Sequence, residues 1–158
     1  MQISEVRVKL VENRSEKLQA FCTITLDDDF VVRDIKIIDG SRGPFVAMPS
    51  RKLSDRCPRC GSKNHLRSKY CNECGSRQPA DRARSDNRGR ARLHTDIAHP
   101  VNAKCRQFIE QSILEAFQIE LERAKSPDYV PPNLDEFEDY DEYPTPPMRE
   151  GREATEGG

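Results

Sequence analysis

Leu18-Gln19-Ala20-Phe21-Cys22-Thr23-Ile24-Thr25-Leu26-Asp27-Asp28-Asp29-Phe30-Val31-Val32-Arg33-Asp34-Ile35-Lys36-Ile37-Ile38 reads as two strands joined by an acidic turn. Leu18, Ala20, Cys22, Ile24 and Leu26 repeat at period two, with Phe21, Thr23 and Thr25 between them, so one face is apolar throughout. Asp27-Asp28-Asp29 is turn chemistry, because short carboxylate side chains tolerate left-handed backbone. Phe30 to Ile38 is rich in Val and Ile, as a strand requires. Val31, Ile35 and Ile37 share a parity that Arg33 breaks, which predicts a bulge or an edge at that point.

Outward from this pair the pattern continues. Val6, Val8 and Leu10 alternate with Arg7 and Lys9 in a preceding strand, and Asn13-Arg14-Ser15 is the turn that follows it. Asp39-Gly40-Ser41-Arg42-Gly43-Pro44 turns the chain again, Phe45 to Met48 forms a short fourth strand, and Pro49 ends it. Beyond Leu93, Asn102 caps a helix beginning near Ala103. Cys105, Ile109, Ile113, Phe117 and Leu121 recur every four residues, flanked by Phe108, Leu114 and Ala116, in a broad apolar stripe. The helix should stop before Ser126-Pro127. The expected fold is α+β: a small four- to five-stranded, mostly antiparallel sheet packed by a C-terminal helix. A core of about eighty residues is marginal alone, so a homodimer formed through an exposed strand or the helix is expected. Cys22 and Cys105 fall on inward positions and read as core thiols.

Between strands and helix lie two near-identical knuckles, Cys57-Pro58-Arg59-Cys60-Gly61-Ser62 and Cys71-Asn72-Glu73-Cys74-Gly75-Ser76, with ten residues between the cysteine pairs. Cysteines with two residues between them can grip one face of a tetrahedral ion, and the glycine after each pair lets backbone N–H groups turn toward the sulfurs. Four soft ligands with no redox demand fit a structural Zn2+, and a closed thiolate shell leaves no position for a catalytic water. Two disulfides are the competing reading. The chain starts with strand-like sequence and no secretory leader, which favours metal over bridges. Two pairs in tandem, each followed by glycine, also argue against a redox dithiol. Residues 57–76 offer only Leu66 and Tyr70 as sizeable apolar side chains. Ordering each residue costs about 1–2 kcal/mol, whereas structural zinc contributes about 10–16 kcal/mol in small fingers. The segment is therefore expected to depend on metal for its order.

The formal net charge of −1 conceals a segregation. Residues 51–92 hold 13 basic and 4 acidic side chains, and residues 126–158 hold 2 basic and 10 acidic. A mean hydropathy of −0.84, with 34% charged residues and no long apolar run, excludes a bilayer-spanning helix and predicts a cytoplasmic protein. The expected organisation is an α+β domain from 1–53 and 93–125, a zinc-ribbon insert at 54–78, an Arg-rich flexible arm at 79–92 and a disordered acidic tail at 126–158.

Four stretches flanking the insert resemble one family in order: Ile24-Thr25-Leu26-Asp27, Phe30-Val31-Val32-Arg33-Asp34-Ile35, Phe45-Val46-Ala47-Met48-Pro49-Ser50-Arg51-Lys52, and Asp96-Ile97-Ala98-His99-Pro100-Val101-Asn102. The likeness is to the SpoVG (stage V sporulation protein G) septation regulators and covers residues 1 to about 53 and 93 to 124. It implies a homodimeric sheet with a packed helix, a role in septation or sporulation, and DNA or RNA binding at a basic surface that includes Arg51 and Lys52. The family usually has a short turn where this chain carries its insert. His94 and Thr95 stand where the family places an aromatic and then a basic residue.

Two functional classes follow. In the first, the chain is a nucleic-acid-binding regulator. Its candidate contacts are Arg51, Lys52, Arg56, Arg59, Arg67, Arg82, Arg84, Arg88, Arg90 and Arg92, because guanidinium groups bind phosphate bidentately and stack on bases. Tyr70 and His65 either stack on an unpaired base or cover the metal site. The acidic tail either competes for the arm or is an inert solubilising segment. In the second class the zinc ribbon docks a partner protein in cell division without touching nucleic acid. Catalysis is not expected: Asp96 and His99 have no accompanying nucleophile, phosphate loop or open metal position.

Overall fold

The computed structural model describes residues 1–12, 16–80, 82–85 and 89–135. Four strands form one antiparallel meander in the order β1-β2-β3-β4: β1 (Ile3–Leu10), β2 (Leu18–Leu26), β3 (Phe30–Gly40) and β4 (Gly43–Ala47). The turn expected at Asn13-Arg14-Ser15 lies outside the described residues. At the β2–β3 turn Asp27 and Asp28 adopt φ of 51° and 57°, and the N–H of Asp29 donates to the Leu26 carbonyl at 2.9 Å. The β3–β4 turn is tighter than the sequence suggests. Gly40 pairs with Gly43, so only Ser41 and Arg42 lie in the loop.

The bulge falls where Arg33 breaks the pattern. Cys22 pairs with Ile35 but Ile24 pairs with Val32, so Thr23 faces two residues, Arg33 and Asp34. Asp34 takes the extra step at φ 60°. The parity on the two sides of the bulge therefore differs. Ile35 and Ile37 are buried in the core, and before the bulge Val32, rather than the expected Val31, packs against it.

The helix α1 (Ala103–Arg123) lies across one face of the sheet. Its N-cap is Asn102, whose Oδ1 accepts the Cys105 N–H at 2.8 Å, leaving one fewer unpaired donor in the first turn. Ile109, Ile113 and Phe117 bury against Val8, Ala20, Cys22, Ile24, Ile35, Ile37 and Val46. Cys105, Leu114, Ala116 and Leu121 pack at the margin, while Phe108 and Ile119 stay exposed. Cys22 is fully enclosed, and burial pushes its thiol up to about 12.

Beyond β4 the chain forms a neck of two short ladders. Strand β5 (Ser50–Lys52) pairs with β8 (His94–Asp96), and β6 (Ser54–Arg56) pairs with β7 (Lys63–His65). Leu53 joins them: its N–H donates to the Leu93 carbonyl at 2.8 Å, and its carbonyl accepts from the Leu66 N–H at 3.0 Å. Among the described residues no helix is long and apolar enough to cross a membrane.

Candidate metal centre and basic surface

The two knuckles fold alike because their sequences repeat. In the first, the Cys57 N–H donates to the Ser62 carbonyl and the Gly61 N–H to the Cys57 carbonyl, at 2.8 and 2.9 Å. In the second, Cys71 N–H to Ser76 carbonyl and Gly75 N–H to Cys71 carbonyl are 2.8 and 3.1 Å. Gly61 and Gly75 sit at φ 78° and 75°, the left-handed region that a side chain strains. These turns bring the sulfurs of Cys57, Cys60, Cys71 and Cys74 within 4.8 Å of one another. Cys57 Sγ lies 3.7 Å from Cys74 Sγ, and Cys60 Sγ lies 3.5 Å from Cys71 Sγ. A tetrahedral ion with metal–sulfur bonds of about 2.3 Å sets its sulfurs about 3.8 Å apart. The four thiols thus form a group that can hold one metal ion.

Two further residues complete the cage, and the sequence reading missed both. Asn64 follows Cys57 by seven residues and Gln78 follows Cys71 by seven, extending the repeat to Cys-x-x-Cys-Gly-Ser-basic-amide. Each amide crosses to the other knuckle: Asn64 Nδ2 donates to Cys71 Sγ, and Gln78 Nε2 to Cys57 Sγ, both at 3.4 Å. Both side chains are buried. Asn64 Oδ1 in turn accepts the N–H of Asn72 at 2.9 Å. The residue equivalent to Asn72 in the first knuckle is Pro58, which has no N–H, and Gln78 Oε1 is accordingly a buried acceptor without a partner.

These donors favour thiolate. Hydrogen bonds from the Ser76 hydroxyl, the Cys60 N–H and Gln78 hold Cys57 down to about 5. The N–H of Cys74 and the amide of Asn64 lower Cys71. At Cys60 the Ser62 hydroxyl and N–H pull down, but partial desolvation together with the neighbouring Cys71 and Cys74 sulfurs outweighs them and raises the thiol. Cys57 and Cys71 are buried, whereas Cys60 and Cys74 face solvent.

The basic residues distribute around this centre. Arg51 and Lys52 are exposed on β5, paired in register with Thr95 and His94. Arg56, Arg59 and Arg67 are exposed on and beside the knuckles, and Arg56 Nη1 also donates to the Gly61 carbonyl at 3.2 Å. Tyr70 is 62% exposed and His65 is exposed on β7, so both present ring surface to solvent. In the Arg-rich segment, expected as a flexible arm, the described residues hold a short antiparallel stem: Ser85 bridges Ala91, and the Arg92 N–H donates to the Arg84 carbonyl at 2.7 Å. Arg82 is bound into the lobe through Nε to the Pro79 carbonyl and Nη2 to the Ser68 carbonyl, at 3.0 and 3.3 Å, while its Nη1 is a buried donor without a partner. Arg84, Arg90 and Arg92 are exposed, and Arg88 lies outside the described residues. Between neck and stem is a cleft of about 800 Å³ lined by Leu53, Leu66, Ser54, Asp55, Arg82, Arg84, Ser85 and Arg92. Sequence alone does not bring Arg82, Arg84 and Arg92 to one cleft with Leu53 and Leu66, because ladder pairing between distant segments does so.

The expected tail, 126–158, is described only to Asp135, and the described part meets the sheet rather than the arm.

Comparison with known proteins identifies the family. A family model described as SpoVG matches residues 1–119. A SpoVG protein of Agathobacter rectalis, named for septation, is 36% identical over 122 residues, covering 77% of this chain and 98% of its own length. A relative of the same name from Anaeromyxobacter sp. is 35% identical over 127 residues, with 80% and 92% covered. One from Finegoldia magna is 32% identical over 131 residues, with 83% and 87% covered. The chain belongs to the SpoVG family.

Proposed function

We propose that this protein is a nucleic-acid-binding regulator of septum formation or sporulation-type gene control, and that a zinc-ordered insert enlarges its binding surface. The septation role rests on the names of its relatives. The observation that carries nucleic-acid binding is the cleft between neck and stem. Arg82, Arg84 and Arg92 supply charge for phosphates there, Leu53 and Leu66 supply apolar contact for sugar or base, and Ser54 and Ser85 add hydrogen-bonding hydroxyls. Arg51 and Lys52 extend the positive surface down the neck, and exposed Tyr70 offers a stacking platform. Four thiolates with amide donors behind them suit Zn2+, which has no geometric demand beyond the tetrahedron. The ion's role is structural, and the protein acts by binding rather than by catalysis. His99 supports that reading: its Nδ1 lies 3.1 Å from the Pro100 carbonyl, within its own loop. Exposed Phe108 and Ile119 on α1 support a homodimer.

No base-reading code accompanies the arginines, so affinity is mainly electrostatic. A titration of the full chain against duplex DNA, single-stranded DNA and RNA, over a range of salt and with or without chelator, tests this. Neutralising about three phosphates gives a log–log slope of about −2.7 on duplex and about −2 on single strands. Chelation should weaken binding. Weak retention that ignores both salt and chelator would assign the insert to protein docking instead.

A further inference from the structure

The sheet has a second face that α1 does not cover. Strand alternation places Arg7, Thr23 and Arg33 in one row across it, and Lys9, Phe21 and Lys36 in the next. Thr23 is only 3% exposed although the helix lies on the other side of the sheet, so it is covered from this side as well. The chain that leaves α1 arrives at this face. Tyr129 fixes the departure: its hydroxyl donates to Oε1 of buried Glu120 at 2.6 Å, and Arg123 lies over its ring at 5.9 Å while pairing with Glu120 Oε2 at 2.7 Å. Four residues later Arg7 Nη1 donates to the Asn133 carbonyl at 3.2 Å, and Arg33 Nη1 pairs with Asp135 at 3.5 Å. The segment thus crosses from β1 toward β3 over Thr23, with half-buried Leu134 between its two contacts. Arg7 also pairs with Glu5 on the same face.

We infer that the helix-free face is a docking surface for an acidic, proline-rich peptide strand, and that its occupant is this chain's own C-terminal segment. Charge supports the pairing. The face presents four cations, and the sequence after Asp135 continues with Glu136, Glu138 and Asp139. The docked strand withholds Arg7 and Arg33 from external polyanions, a role separate from the neck cleft, whose lining includes neither residue. Each contact is weak on its own, as exposed ion pairs are, so docking depends on their sum and is sensitive to salt.

Hydrogen exchange of the full chain tests the inference. At low salt the amides of Tyr129, Val130, Asn133, Leu134 and Asp135 should exchange slowly. Either 0.5 M salt or the Arg7→Gln/Arg33→Gln variant should speed them about threefold to tenfold. Asp135→Asn, which leaves the sheet untouched, should do the same to a smaller degree and shift the Thr23 methyl resonance. Equal exchange rates in all variants at both salts would overturn the proposal. So would a Thr23 resonance that follows protein concentration but not Asp135→Asn, because that result makes a second copy the occupant.

Discussion

Asn64 and Gln78 occupy the same position in the two knuckles, and each donates its amide to the leading cysteine of the other. The exchange ties the halves of the cage together from behind the sulfurs, where it orients the thiolates and offsets their charge. Removing either donor should therefore weaken metal binding while leaving all four ligands in place. Asn64→Ala and Gln78→Ala are each expected to lower affinity about 10- to 100-fold in a chelator competition. Asn64→Ala should be the more damaging, because it also frees the Asn72 N–H.

The bulge on β3 gives a backbone prediction. Asp34 stands at φ 60°, where glycine is comfortable and a β-branched residue is not. Asp34→Val should cost about 1–2 kcal/mol in urea unfolding, and Asp34→Gly should cost little.

Cys22 sets a pH dependence. Its folded thiol is raised from 9.0 to about 12 by burial, so above pH 9 the native state holds a proton that the unfolded chain has released. Its contribution is fully present below pH 9 and is lost as pH climbs toward 12, at up to about 1.4 kcal/mol per pH unit. The decline in urea midpoint between pH 8.5 and 10.5 should be shallower in Cys22→Ala than in the parent, whatever the absolute cost of the cavity.

The arginines of the cleft should separate into two kinds. Arg84 and Arg92 are exposed, so Arg84→Ala and Arg92→Ala should each reduce the salt slope of nucleic-acid binding by about 0.9 on duplex without altering the fold. Arg82 is held by the Pro79 and Ser68 carbonyls. Arg82→Ala should also disturb the amide resonances of Ser68 and Pro79's neighbours, a change the other two variants lack.

Much of the fold was legible because it is local. Period-two alternation marks β1 and β2, Asn102 marks the start of α1, and the four-residue recurrence through Ile109, Ile113 and Phe117 marks its buried face. The bulge was visible at Arg33, yet its consequence was not: only the register shows that the extra residue sets Val32, rather than Val31, against the core. The cysteines were legible from spacing, whereas Asn64 and Gln78 look like surface amides until the seven-residue repeat is extended past each serine. The neck was hidden because β5 and β8 lie far apart in sequence. The contact of Asp135 with Arg33 was hidden for the same reason, since charge composition alone pointed the tail at the arginine-rich arm.

Order in the insert is expected to depend on four sulfurs acting as one ligand set. Metal analysis of the purified full chain, beside Cys57→Ser/Cys71→Ser, tests it most directly. One zinc per chain in the parent, with loss of both zinc and the dispersed amide resonances of 57–78 in the variant, is the predicted result. A parent protein that keeps those resonances after exhaustive chelation, with no bound metal, would contradict it.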